Sequence, residues 1–468
     1  MPVTSRIRVV LLVMLAVLLV AAGYLIVGGG RQYLADRAFR PIKVPAATPA
    51  ASEVAGPLSA ATAAPSPGPV AGSPIQPSPA GVAAALAGQL ASAELGPSVS
   101  AEVYDATTGT KLFGQRAEQP VVPASTAKLL TAAAVLSVHR ATDRFTTRVL
   151  AGPRPGSVVL VGGGDPTLSA ATAGQPTEYP EAARISELAK AVRASVGSTP
   201  ITQVIVDGSL FTGPLTGPGW ATEDSPSSYA CPITAAMVDA GRDRPDDSLR
   251  SAAPDLAAGN ALAAALAGAT VSRGSAPAGA KLLGQVQSAP VGVLVEQMLR
   301  DSDDVMAEVL GRQVALAAHQ PASFAGATAA IAASLAPLSI AAGTGMRDAS
   351  GLSVLDRLPT RALTQVLLAA YGTGHPELRS VLTGLPVAGW DGTLVEQGRF
   401  TGSAAAADGV LRAKTGSLTG VSALAGVITD ADGRQLIFAF VADQAPSEGP
   451  TRDAIDQLAL ALVRCGCR

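Results

Sequence analysis

Ten prolines fall between residues 41 and 79, interleaved with Ala, Ser and Gly. Such a stretch cannot bury enough apolar surface to offset its ordering entropy, and it favours extended, solvated backbone. Any packed core must therefore follow it, from about residue 81. A second constraint stands before it: residues 9–27 carry no charge. At roughly 1.5 Å per residue this run is long enough to cross most of a ~30 Å hydrocarbon layer. It reads as an uncleaved membrane anchor, because Ala21, Ala22 and Gly23 offer only a poor cleavage site inside the apolar run. Basic residues flank it on both sides, so charge does not orient it. Residues 1–8 are then a cytoplasmic tail and 28–80 a disordered tether, whose proline-rich part reaches on the order of 120 Å when extended.

The chain has 34 Lys plus Arg against 36 Asp plus Glu, which leaves no electrostatic footprint for nucleic acid. Aromatics make up only 3 % of a chain that is 48 % hydrophobic, so a glycan platform built on ring stacking is disfavoured. His139, His319 and His375 stand singly, without the paired spacing of zinc peptidases, and neither metal nor cofactor is expected. Cys231, Cys465 and Cys467 are too few for a disulfide scaffold, and Cys465 and Cys467 lie too close in sequence for an unstrained bridge.

Ordered sequence opens with an Ala/Leu helix at 82–95, followed by a hairpin from 98–105 and 111–114. Pro123 introduces an apolar helix whose first turn carries Ser125 and Lys128. Short Val-rich strands alternating with turns are predicted over 145–207, helices over 255–267 and 291–318, strands over 409–442 and a closing helix over 451–463. Helices on both sides of late strands predict an α/β layered fold.

Of only six lysines, two sit in Ser125-x-x-Lys128 and Lys414-Thr415-Gly416. A Ser at a helix start with Lys three residues on places both side chains on one face. A neutral amine there can deprotonate the hydroxyl. Burial or a second cation favours the neutral form, and Lys414 is the natural second cation. Taken alone, Ser125 is an ordinary helix cap. Lys414, Thr415 and Gly416, followed by Ser417, supply a cation, a hydroxyl and a small residue along a strand edge suited to a peptide carboxylate; a solvated turn is the bland alternative. Ser302-Asp303-Asp304 breaks two helical runs, where Ser302 could shuttle protons or simply start a helix.

In this order the three motifs resemble those of the penicilloyl serine transferases. Further blocks narrow the resemblance: Gly162-Gly163-Gly164-Asp165-Pro166, Gly217-Pro218-Gly219-Trp220, Asp348-Ala349-Ser350-Gly351-Leu352-Ser353 and Leu385-Pro386-Val387-Ala388-Gly389-Trp390-Asp391-Gly392. With the motifs, they are similar to the D-alanyl-D-alanine carboxypeptidase/endopeptidase family, the class C low-molecular-mass penicillin-binding proteins. The resemblance implies a transpeptidase-like serine hydrolase domain from 81–144 and 289–468, split by an inserted β-rich domain at 145–288. It implies Ser125 as nucleophile, Lys128 as general base and Ser302 as proton shuttle. Backbone N–H groups of Ser125 and Ser417 would form the oxyanion hole. Lys414 and Thr415 would hold the terminal carboxylate of peptidoglycan stem peptides, and β-lactam antibiotics would acylate the same Ser125. Asp224 and Tyr229 occupy places that help bind the diaminopimelate side chain.

The sequence departs from the family at Val354 and Thr419, where some members have Arg and Gln, and most seriously at Asp304, where the second motif normally ends in Asn. A carboxylate near Lys128 only accepts hydrogen bonds and favours the protonated amine, so acylation near pH 7 is expected to be slow and Asp304→Asn to speed it. A protonated Asp304 or a shifted loop would change that expectation. Two other readings stay open: a catalytically weakened relative that binds wall peptides or partners, and a β-lactamase.

Overall fold

The computed structural model describes residues 75–244, 247–340 and 345–468, all within a unit spanning residues 71–468. The apolar run at 9–27 and most of the expected tether lie outside the described residues. Among the described residues no helix is long and apolar enough to cross a membrane.

Helix α1 (Pro79–Leu90) begins one residue before the expected end of the tether and is capped by Ser78, whose Oγ accepts from Gly81 N at 3.0 Å. The pair β1 (Ser98–Asp105) and β2 (Lys111–Gln115) follows, then β3 (Pro120–Val121) and α2 (Lys128–Val138). Next come β4 (Thr146–Ala151), β5 (Ser157–Val161), α3 (Ile185–Val196), β6 (Gln203–Asp207), α4 (Pro254–Ala265), β7 (Thr270–Arg273) and β8 (Leu282–Gln287). The chain continues through α5 (Val291–Asp301), α6 (Asp304–Ala317), α7 (Phe324–Leu335), β9 (Leu358–Pro359), α8 (Thr360–Tyr371), α9 (Arg379–Thr383) and α10 (Gly392–Glu396). Strands β10 (Leu411–Leu418), β11 (Val421–Thr429) and β12 (Gln435–Asp443) and helix α11 (Glu448–Val463) end it.

An antiparallel sheet runs in the order β10-β11-β12-β1-β2, so an early strand is hydrogen-bonded beside the last one. Side chains alternate between its faces with period 2. Ala423, Ala425, Ile437, Ala439 and Val441 pack with α2 and α5 to α8, while Leu424, Phe438, Phe440 and Ala442 pack with α1 and α11. The sheet is thus the middle of three layers. Residues 128–136 of α2 are all buried, and the small Ala residues on the facing strands give that helix room.

The second sheet has the order β7-β6-β5-β4-β8, and all its strands fall between residues 146 and 287. The segment expected as a β-rich insert carries this five-stranded sheet and, besides it, two helices. Strands β5, β6 and β7 are parallel, and parallel neighbours need a crossover connection. Helices α3 and α4 supply it and pack on the sheet. Helix α3, missed in the strand-and-turn reading of 145–207, buries Ile185, Leu188, Ala189 and Val192, a spacing that was legible. Cys465 and Cys467, too close in sequence for an unstrained bridge, lie with Cα atoms 5.0 Å apart near the end of the chain.

Candidate active site

Pro123 leads into a 3₁₀ turn, Ala124–Ala127, which passes directly into α2. At three residues per turn, positions i and i+3 eclipse. Ser125 and Lys128 are thereby stacked at the mouth of the central helix, and Lys128 Nζ reaches Ser125 Oγ at 3.0 Å. The same amine donates to Ser350 O at 2.8 Å and to Asp304 Oδ1. Lys128 is fully buried, whereas Ser125 is partly open to the cleft.

Ser302 ends α5 in the left-handed conformation, at φ 59° and ψ 34°. It accepts from Lys414 Nζ at 2.8 Å. Lys414 also donates to Thr415 O at 2.9 Å. Burial, and then the Lys128 charge, hold the Lys414 amine well below the ordinary lysine range. A substrate carboxylate arriving there would favour its charged form.

Strand β10 is an edge strand, and Leu418 pairs with Val421 across a two-residue loop. Alternate N–H groups therefore turn away from β11. Ala413 N shows the direction, donating outward to Pro386 O at 3.0 Å. By the same alternation Thr415 and Ser417 turn their N–H groups to the open edge. Gly416 permits the close approach of the nucleophile turn, since a Cβ there would lie 3.0 Å from Pro123 O.

These groups surround a cleft of about 510 Å³ whose lining includes Ser125, Asp224, Tyr229, Ser302, Asp304, Thr415, Ser417 and Thr419. Lys128 and Lys414 lie just beneath. Gly416 lies on β10 between Thr415 and Ser417, so the ten site residues expected from the sequence, together with Thr419, are brought to one cleft, with Val354 outside its lining.

The chain matches the D-Ala-D-Ala carboxypeptidase 3 (S13) family over residues 82–246 and 243–462. It belongs to that family. It is 48 % identical over 395 residues to a carboxypeptidase of Mycobacterium tuberculosis, covering 83 % of this chain and 85 % of that one. It is 45 % identical over 395 residues to the carboxypeptidase DacB of Mycolicibacterium smegmatis, with the same coverage of 83 % and 85 %. In fold it is similar to penicillin-binding protein 4 of Haemophilus influenzae, with a TM-score of 0.66 at 20 % identity over 82 % of this chain and 99 % of that one.

Within this site, Asp304 is the carboxylate that meets Lys128. Burial raises its carboxyl above the ordinary carboxylate range, against the opposing pull of Lys128. The expectation that Asp304 lies near Lys128 is met by a direct contact.

Support beneath the cleft was not read from the sequence. Glu308 Oε1 accepts from Ala349 N at 2.8 Å and Ser350 N at 2.9 Å, which aims the Ser350 carbonyl at Lys128. Burial and then Asp348 push the Glu308 carboxyl up to about 7, while Arg312 at 3.3 Å opposes the shift. Asp348 accepts from Gly351 N, Ser353 N and Trp220 Nε1, each at 2.7 Å, tying the Gly217–Trp220 block to the nucleophile's support. The available signal was Glu308 and Arg312 four apart in a largely apolar helix.

Proposed function

We propose that the protein acts as a serine-type D-Ala-D-Ala carboxypeptidase on peptidoglycan stem peptides, through an acyl-enzyme. The observation that carries this is the 3.0 Å contact between Lys128 Nζ and Ser125 Oγ at the cleft. Neutral Lys128 takes the Ser125 proton as Oγ bonds to the penultimate D-Ala carbonyl carbon. Charge on the carbonyl oxygen develops between the N–H groups of Ser125 and Ser417. Lys414 and Thr415 hold the terminal carboxylate. The amide C–N bond then breaks, Ser302 passes a proton to the departing D-alanine amine, and water hydrolyses the ester. Membership of the S13 family and relatives named carboxypeptidase support this reading. The Haemophilus influenzae protein has been solved with a β-lactam bound, in keeping with β-lactams acylating Ser125 here.

The same chemistry on a cross-linked peptide would give endopeptidase activity, with Asp224 and Tyr229 contacting the stem side chain. Residues 81–144 and 289–468 would form the catalytic domain and 145–288 an insert. Residues 9–27 would hold the chain in the cell membrane as a single-pass anchor, with the catalytic part outside, where stem peptides are.

Mass spectrometry after treatment with a fluorescent penicillin tests the chemistry. One adduct on Ser125, absent in Ser125→Ala, is expected, together with D-alanine release from a peptide ending in D-Ala-D-Ala. An adduct elsewhere, or no release, overturns the proposal. An adduct without release would favour the weakened relative, and sustained β-lactam turnover a β-lactamase.

A further inference from the structure

Asp303, the middle residue of the second motif, turns away from the cleft. Its Oδ1 caps α6 by accepting from Met306 N at 2.9 Å. Its Oδ2 accepts from Tyr179 Oη at 2.7 Å and from Arg250 Nη2 at 3.0 Å. Both partners come from the segment that carries the second sheet, 124 and 53 positions earlier in the chain. The Arg250 and Asp303 side chains are 4 % and 5 % exposed. Arg250 is itself fixed, donating to Ala240 O through Nη1 and to Ser228 O through Nε at 3.3 Å. Tyr179 Oη in turn accepts from Arg242 Nη1 at 3.0 Å.

The neighbours of Asp303 are the two groups that touch the catalytic lysines. Ser302, at φ 59°, meets Lys414, and Asp304 meets Lys128. A non-glycine residue in the left-handed region persists only where its surroundings over-determine it. Next to this turn lies a cavity of about 310 Å³, bordered by Tyr179, Arg242 and Arg250 on one side and by Ser302 and Asp304 on the other. On that side the turn is held by polar contacts. Burial alone would raise the Asp303 carboxyl, but Arg250, the Met306 N–H, the Tyr179 hydroxyl and Arg242 together outweigh it and carry it down to about 2, so the pair is ionic. A buried ion pair is a weak source of stability compared with apolar packing, but it specifies one geometry.

Resting on the acylation chemistry proposed above, we propose that Arg250 and Tyr179 are positioning residues that hold the Ser302–Asp304 turn in register with Lys414 and Lys128. Through these two residues, which do not touch substrate, the segment at 145–288 contributes to catalysis by a route separate from the Asp224 and Tyr229 contacts. Loss of Arg250 leaves a buried, uncompensated carboxylate that relaxes towards solvent and carries Ser302 and Asp304 with it. Replacing Asp303 at the same time removes that charge.

The test separates the dissociation constant of the initial penicillin complex from the acylation rate constant, using the full chain and following thermal unfolding in parallel. Arg250→Gln is expected to lower the rate constant about tenfold while the dissociation constant changes less than about threefold, because a displacement near 1 Å suffices for such a loss. Tyr179→Phe, which keeps the packing, is expected to lower it about threefold. Asp303→Asn added to Arg250→Gln is expected to recover much of the rate. Should Arg250→Gln not fold, Tyr179→Phe alone decides. An unchanged rate constant in the folded variants, or a double variant no faster than Arg250→Gln, overturns the positioning role while acylation of Ser125 stands. A wild type that takes up no penicillin overturns both.

Discussion

The Asp304 carboxylate is bonded to the Lys128 amine, 176 positions earlier in the chain. The partner that an amide would occupy is therefore one that can take or hold a proton, and Lys128 must release its own before it can act on Ser125, 3.0 Å away. An amide would orient the amine without competing for that proton. Asp304→Asn is expected to acylate about tenfold faster than the wild type at pH 7, roughly the effect of removing one opposing charge. Time courses with a fluorescent penicillin check this, and an equal or slower variant removes the idea.

Gly351 has φ +80°, and a Cβ there would meet Ala124 O at 2.0 Å, next to the nucleophile. Gly351→Ala combines about 1–3 kcal/mol of backbone strain with displacement of the Ser125 turn. Both the unfolding temperature and the acylation rate are expected to fall. Gly109→Ala, at φ +67° with open space around it, is the control: it should cost stability and leave acylation intact.

Burial, followed by the neighbouring Asp348 carboxylate, pushes the Asp356 carboxyl up to about 9 from 3.8. A group raised in the folded state adds stability that is complete below its unfolded value and lost as pH climbs through the folded one. The wild type is therefore expected to melt progressively lower between pH 4 and pH 9. Asp356→Asn should flatten that slope, leaving the part below about pH 7 that Glu308, Asp165 and Asp301 contribute. Calorimetry across this range decides, and parallel slopes for the two proteins count against the assignment.

Tyr229 is 64 % exposed at the rim of the cleft, and Asp224 Oδ2 shapes the adjoining turn by accepting from Ala221 N at 2.7 Å. Tyr229→Ala is expected to lower kcat/KM for a diaminopimelate-containing peptide roughly fivefold, about 1 kcal/mol of contact, while penicillin acylation changes little. Equal losses for both substrates would place Tyr229 in the general machinery instead.

What was legible in the sequence were features set by local backbone geometry. Ser125 and Lys128 share a face because residues three apart in one turn must. The hairpin at β1 and β2, the alternation along β10 to β12 and the break at Ser302 all follow from short-range spacing and turn chemistry. The crossover helix α3 was legible in the same way and was overlooked beside its Val-rich strands. The Lys128 contact of Asp304 was expected only through the family resemblance, and the partners of Asp303 were not legible. Arg250 and Tyr179 meet Asp303 from 53 and 124 positions away, where the folded chain brings distant segments together. Glu308 likewise gains its purpose from the Ala349 and Ser350 backbone 41 and 42 residues away. A chain's spacing dictates what its own turn can present, whereas burial decides which far-off charge must answer it, because only a desolvated group is bound to find a partner.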